Sequence, residues 1–114
     1  MAKDDYYVIA YRILAYLYSC LKKGERVDIN YIQSETDEFP IGRGYWEYIM
    51  RHLFEDGYIE GVMLVPICGK DAPGVKLTNG VMITPLGIEF LQNNSAMSKA
   101  KDFLKTLKET IPGL

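Results

Sequence analysis

Catalysis and metal binding need particular side chains brought together, and this chain of 114 residues supplies few of them. Its only histidine is His52, and its two cysteines are Cys20 and Cys68. A structural zinc site takes four Cys or His ligands, and a Cys nucleophile needs a base beside it. No Cys or second His stands near His52, so neither chemistry is indicated. The stretch from Gly69 to Lys76, "GKDAPGVK", has two glycines at the spacing of a phosphate-binding loop. In that loop a lysine follows the second glycine directly, a Ser or Thr comes next, and a helix begins. Here Lys76 is one position late, Leu77 follows it, and the segment leads into a strand, so the phosphate loop is rejected. Glu55 and Asp56 are adjacent and point to different sides of a helix, as solvated carboxylates do. No enzyme activity, cofactor or metal is expected.

What remains is the chemistry of recognition. The stretch from Tyr45 to Gly61, "YWEYIMRHLFEDGYIEG", reads as an amphipathic helix ended by Gly57 and followed at once by strand-forming residues. The helix is expected over about 42–56, with Trp46, Ile49, Met50 and Leu53 on its inner face. Gly44, Glu47, Tyr48, Arg51, His52 and Glu55 then point outward, and Arg43 stands at the start. A helix so placed before a strand pair can lie in the major groove of double-stranded DNA. Arg51 would contact guanine through two hydrogen bonds, Arg43 would help to read or position the duplex, and Tyr48 or His52 would bond to a phosphate or a base edge. Lys70 and Lys76, in the loop beyond, would hold the backbone.

The charge count opposes this. From Asp28 to Glu60 there are eight carboxylates and two arginines, a net −6. Affinity for duplex DNA comes largely from neutralised phosphates. Two readings follow. In one the protein is a DNA-binding regulator that pools its cations across a dimer. In the other the same acidic face docks a basic protein partner and binds no nucleic acid.

The elements that must position this face are legible in turn. Residues 4–22, "DDYYVIAYRILAYLYSCLK", form a first helix closed by Gly24. Tyr6, Ile9, Ile13, Tyr16, Leu17, Cys20 and Leu21 share one face, and Tyr7, Tyr11, Leu14 and Tyr18 make a second stripe beside it. A surface helix shows an apolar stripe somewhat wider than about 100°, and this one is nearly twice that, so it must be covered from two directions. A short strand at Arg26–Val27 and a short helix capped by Asp28, anchored by Ile29 and Ile32, come next. "DEFPIG" is a turn, because Pro40 discourages helix around it. After the central helix, "YIEGVMLVPI" is a strand, "CGKDAPGVKLTNG" a loop with an Asn-Gly turn, and "VMIT" the return strand. Thr84 caps a helix with Pro85 at its first position, and Ser95 caps a last helix over 96–111. On that last helix Met97, Ala100, Phe103, Leu104, Leu107 and Ile111 share a face.

The second stripe has two possible covers. The last helix of the same chain could lie on it, or Tyr7, Tyr11, Leu14 and Tyr18 with Phe103 and Leu107 could meet a second copy in a two-fold homodimer.

The bulk properties fit a single domain over 1–114, with its core in about 4–94 and the last helix docked or dimerising. The hydrophobic fraction of 48% excludes a disordered chain. No apolar run approaches the roughly 20 residues that cross a bilayer, and "MAKDD" is no signal peptide, so no membrane role is expected. Two cysteines are too few for a secreted scaffold, which favours reduced thiols in the cytoplasm. A formal charge of −2 predicts solubility rather than non-specific attraction to nucleic acid.

The order helix, short strand, helix, helix, strand, loop, strand, helix is that of a winged helix-turn-helix domain: α+β, mostly helical, with a small antiparallel β wing and extra terminal helices. "LFEDGYIEG", followed about twenty residues later by "ITPLGIEFLQNNS", also resembles many bacterial winged-helix proteins. Taken with the aromatic first helix and "YWEYIMRHL", the chain most resembles the YjcQ-like family, small proteins of Gram-positive bacteria and their prophages. The resemblance implies a winged-helix fold and brings no catalytic or cofactor residues with it. It is compatible with a phage-related or bacterial regulator.

Overall fold

The computed structural model describes residues 1–37 and 39–107. The chain is α+β and mostly helical: α1 (Tyr6–Lys23), a 3-10 turn (Ile29–Ile32), α2 (Arg43–Glu55), β1 (Ile59–Val65), β2 (Gly74–Ile83), α3 (Pro85–Asn93) and α4 (Ser95–Thr106). The strands form one antiparallel hairpin.

Helix α1 runs through the middle of the molecule and packs against α2, α3, α4 and β2. Its residues from Val8 to Cys20 are buried except Arg12 and Tyr18, so the double-width apolar face is covered from two directions as expected. Gly24 ends the helix in a left-handed conformation (φ 67°), its N–H turned back to the last carbonyls.

The 3-10 turn is short, and two polar contacts hold it. Asp28 accepts the N–H of Asn30 at 3.0 Å, and the Asp28 N–H donates to the Tyr16 hydroxyl at 2.8 Å. Arg26 and Val27 form no strand; β1 and β2 are the only strands among the described residues. Ile32 is fully buried, and its carbonyl accepts the indole N–H of Trp46 at 2.6 Å. That bond joins the turn to α2 and satisfies the one polar atom on a buried tryptophan.

In α2 the inner face is the expected one: Trp46, Ile49, Met50 and Leu53 are all buried. Each such side chain contributes about 1.5–3 kcal/mol when removed from water. Gly57 (φ 84°) turns the chain out of the helix, and Thr84 caps α3 by accepting the Gly87 N–H.

The hairpin differs from expectation. The return strand begins at Gly74, not at Val81, so most of the residues read as loop belong to β2. The pairing runs Val65 with Gly74, Leu64 with Val75, Met63 with Lys76 and Val62 with Leu77, then breaks, and resumes with Glu60 opposite Met82 and Ile59 opposite Ile83. Asn79-Gly80 is therefore part of a bulge and not a hairpin turn. Gly61 lies opposite this bulge with φ 78°, and a Cβ there would run into the backbone of Gly80. Thr78 closes the bulge by donating its hydroxyl to the Gly61 carbonyl at 2.7 Å. The bulge interrupts the alternation of Val75, Leu77, Val81 and Ile83, all buried, which is why the strand was not legible.

The last helix is capped by Asn94, not Ser95: the Asn94 side chain accepts from Ala96 at 2.9 Å and from Met97 at 3.3 Å. Met97, Ala100 and Leu104 are buried, Phe103 is half-buried and Leu107 is exposed. Ile111, expected on the same face, lies outside the described residues.

Candidate recognition face

The outward side of α2 divides into two parts. Toward the hairpin, Arg43 and Glu47 grip a single residue of β2. Glu47 Oε2 accepts the Val75 N–H at 2.8 Å, and Arg43 Nη2 donates to the Val75 carbonyl at 2.8 Å. The two side chains also pair with each other, at 3.6 Å, and the Arg43 guanidinium lies 4.4 Å over the Trp46 ring. Arg43 was expected to contact DNA. It is held instead by a backbone carbonyl, a carboxylate and an indole of its own chain.

Away from the hairpin, Tyr48, Arg51, His52 and Glu55 come together. Arg51 Nε pairs with Glu55 at 3.5 Å, with only 18% of the arginine side chain exposed. The Tyr48 ring stacks on His52 at 4.1 Å and is 48% exposed. His52 Nδ1 lies 2.8 Å from the Tyr48 carbonyl, which can only accept, so in this contact Nδ1 is the donor.

The sequence missed the neighbours of this cluster. Tyr6 and Tyr7, at the start of α1, are placed beside it: Tyr6 meets Tyr48 edge-on at 6.2 Å and Tyr7 edge-on at 5.2 Å. Tyr45 joins them by donating its hydroxyl to the Asp4 carbonyl at 2.6 Å. Tyr7, Tyr45 and Tyr48 are all exposed, so one patch is aromatic. Its surroundings are acidic. Burial, then the Asp56 carboxylate, push the Tyr6 phenol up to about 12. Burial, then Asp4 and Asp5, raise that of Tyr45. Helical periodicity separates Tyr6 from Tyr7 and carries no information on which distant helix they meet, so only the tertiary contact reveals the patch.

Lys70 and Lys76 are exposed on the hairpin, with no ion pair between them and a carboxylate among the described residues. They are on a different element from the aromatic cluster. Of the stripe expected to meet either the last helix or a second copy, Tyr11 and Leu14 are buried within their own chain. Tyr18 is half-buried with Lys22 over its ring at 4.5 Å, and Tyr7 and Leu107 are exposed. Both cysteines are free thiols, Cys20 buried and Cys68 exposed. Among the described residues no group of three or more His, Cys, Asp or Glu is placed to hold a metal ion, and no helix is long and apolar enough to cross a membrane.

The sequence model of the family described as YjcQ protein matches residues 11–110. The chain belongs to the YjcQ family. The match spans α2, the hairpin and α3 entirely, with most of α1. It therefore takes in the YjcQ residues Tyr45, Tyr48, Arg51, His52 and Glu55, while Tyr6 and Tyr7 precede it. No curated protein and no solved structure matches this YjcQ chain.

Proposed function

We propose that this YjcQ protein is a winged helix-turn-helix module that docks a basic protein segment on the aromatic and acidic face of α2. One observation carries the reading. Both arginines of α2 are engaged within the chain, Arg43 by Val75 and Glu47 and Arg51 by Glu55, which leaves a surface of tyrosines and carboxylates. Duplex DNA needs uncommitted cations in this position, whereas a lysine- or arginine-rich segment finds carboxylates to pair with and ring faces to cover. Tyrosine also gives large contact area at small entropic cost, which suits a protein interface.

Double-stranded DNA is the second reading. Lys70 and Lys76, exposed on the hairpin, favour it, with the exposed Tyr48 beside His52 on α2 to reach a phosphate or base edge. Amide shifts of the labelled protein separate the two, using an arginine-rich peptide and a mixed-sequence duplex at low salt as probes. The protein-docking reading expects the peptide to shift Tyr7, Tyr45, Tyr48 and Glu55 and the duplex to leave them unmoved. Duplex-induced shifts along α2 and around Lys70 and Lys76 that fade as salt rises, with no response to the peptide, would replace it with the DNA reading.

A further inference from the structure

We infer that β1 pairs edge to edge with β1 of a second copy of this chain, joining two hairpins into one four-stranded sheet across a two-fold axis. This stands apart from the face on α2 and does not depend on it.

Each strand has one neighbour among the described residues, so the hairpin has two outer edges. They are treated differently. On β2, Glu47 and Arg43 occupy both polar backbone groups of Val75. Farther along, Arg26, Val27, Asp28 and Ile29 line a small cleft with Thr78, Asn79 and Val81. Among the described residues, no side chain or third strand is hydrogen-bonded to the outer edge of β1 at Val62 or Leu64. Because Val75 turns its N–H and C=O away from β1, its partner Leu64 turns its own away from β2, as opposite residues of a non-hydrogen-bonded pair do. Val62, two residues along, does the same, and Pro66 ends the row because it has no N–H.

The side chains support pairing. Met63 is 51% and Val65 41% exposed on the outer face of the strand, and Ile67 continues them. Proteins usually protect an edge strand with charge, proline or a bulge. Here the bulge at Gly61 and the proline at 66 bracket the segment and leave Val62 to Val65 open, with no charged residue from Gly61 to Gly69.

The occupant must match a short, uncharged edge, and the strand matches itself. Val62 of one copy pairs with Leu64 of the other and the reverse, each pair exchanging both backbone bonds, and Met63 faces Met63 across the axis. Shifting the register so that Leu64 faces Leu64 would set Pro66 against Val62, where an N–H is needed, and is disfavoured. Lys76 flanks Met63 on β2 and is separated from its copy by three strand spacings, about 14 Å, which exceeds the screening length of about 8–10 Å in ordinary buffer.

The test uses the full chain with Cys68→Ser as background, since Cys68 is exposed and would complicate oxidation. Sedimentation from low to high micromolar concentration is expected to show a monomer–dimer equilibrium. Met63→Lys with Val65→Lys is expected to give a monomer with an unchanged circular dichroism spectrum. Met63→Cys is expected to cross-link on mild oxidation, because a non-hydrogen-bonded pair has Cα atoms about 4.5 Å apart, within the disulfide range of about 4.4–6.8 Å. Val65→Cys faces Gly61 of the other copy and is expected not to cross-link. A monomer at every concentration, a dimer indifferent to the lysine variants, or equal cross-linking at 63 and 65 would each overturn the inference.

Discussion

Glu47 accepts the backbone N–H of Val75 across a sequence separation of 28 residues, so a helix side chain performs the bonding of a neighbouring strand. With Arg43 on the Val75 carbonyl, α2 fixes where β2 begins. Hydrogen bonds to charged groups contribute about 1.5–3 kcal/mol, and this carboxylate is largely shielded. Glu47→Ala is expected to lower unfolding free energy in urea by about 2 kcal/mol, with Glu47→Gln recovering part of it because the acceptor remains. A Glu47→Ala loss within about 0.5 kcal/mol of zero, the usual range for a plain surface substitution, would mean the grip is incidental.

Gly61 and Gly24 both have positive φ but differ in what surrounds them. A Cβ at Gly61 meets the Gly80 backbone, whereas nothing lies within 4 Å at Gly24. Gly24→Ala is expected to cost about 1 kcal/mol, the price of a left-handed non-glycine residue. Gly61→Ala adds a steric clash with main chain and is expected to cost at least about 1–3 kcal/mol more. Equal midpoints for the two variants in thermal unfolding would contradict the bulge geometry.

Capping of α4 separates the sequence expectation from the structure. Asn94→Ala removes the side chain that accepts from Ala96 and Met97 and is expected to cost about 1 kcal/mol. Ser95→Ala is expected to fall within about 0.5 kcal/mol of the parent protein. The reverse order in denaturant unfolding would restore Ser95 as the cap.

Two phenols, Tyr6 half-buried and Tyr16 buried, predict alkaline sensitivity. Tyr6 and Tyr16 are each pushed up to about 12 from an ordinary 10.0, burial being the largest cause for both. A folded pKa above the unfolded one adds stability that is complete below pH 10 and disappears as pH rises through 12. Urea midpoints are expected to be level with respect to these groups below that window and to fall across it. Tyr6→Phe is expected to make the fall shallower. An unchanged slope in that variant would show that Tyr6 does not titrate late.

The legible parts of this protein are those set by local patterning. The inner face of α2 follows from the spacing of Trp46, Ile49, Met50 and Leu53, and the exits at Gly24 and Gly57 follow from the one residue type at ease with positive φ. Thr84 before Pro85 marks the start of α3 in the same way. Family membership was legible too, through the order and spacing of such signals.

Long-range pairing was not legible, and it controls the candidate site. Arg43 has the residue type of a DNA contact, yet what it bonds depends on Val75 being brought alongside from β2, whereas the Arg51–Glu55 pair, four residues apart on α2, is local. Tyr6 and Tyr7 join the candidate face only because the start of α1 lies beside Tyr48 of α2, and Tyr11 and Leu14 left the surface because α1 is packed on several sides. Periodicity and capping are encoded within a few residues, so they can be read along the chain. Which side chains stay free to meet a partner is settled only after distant segments have competed for them.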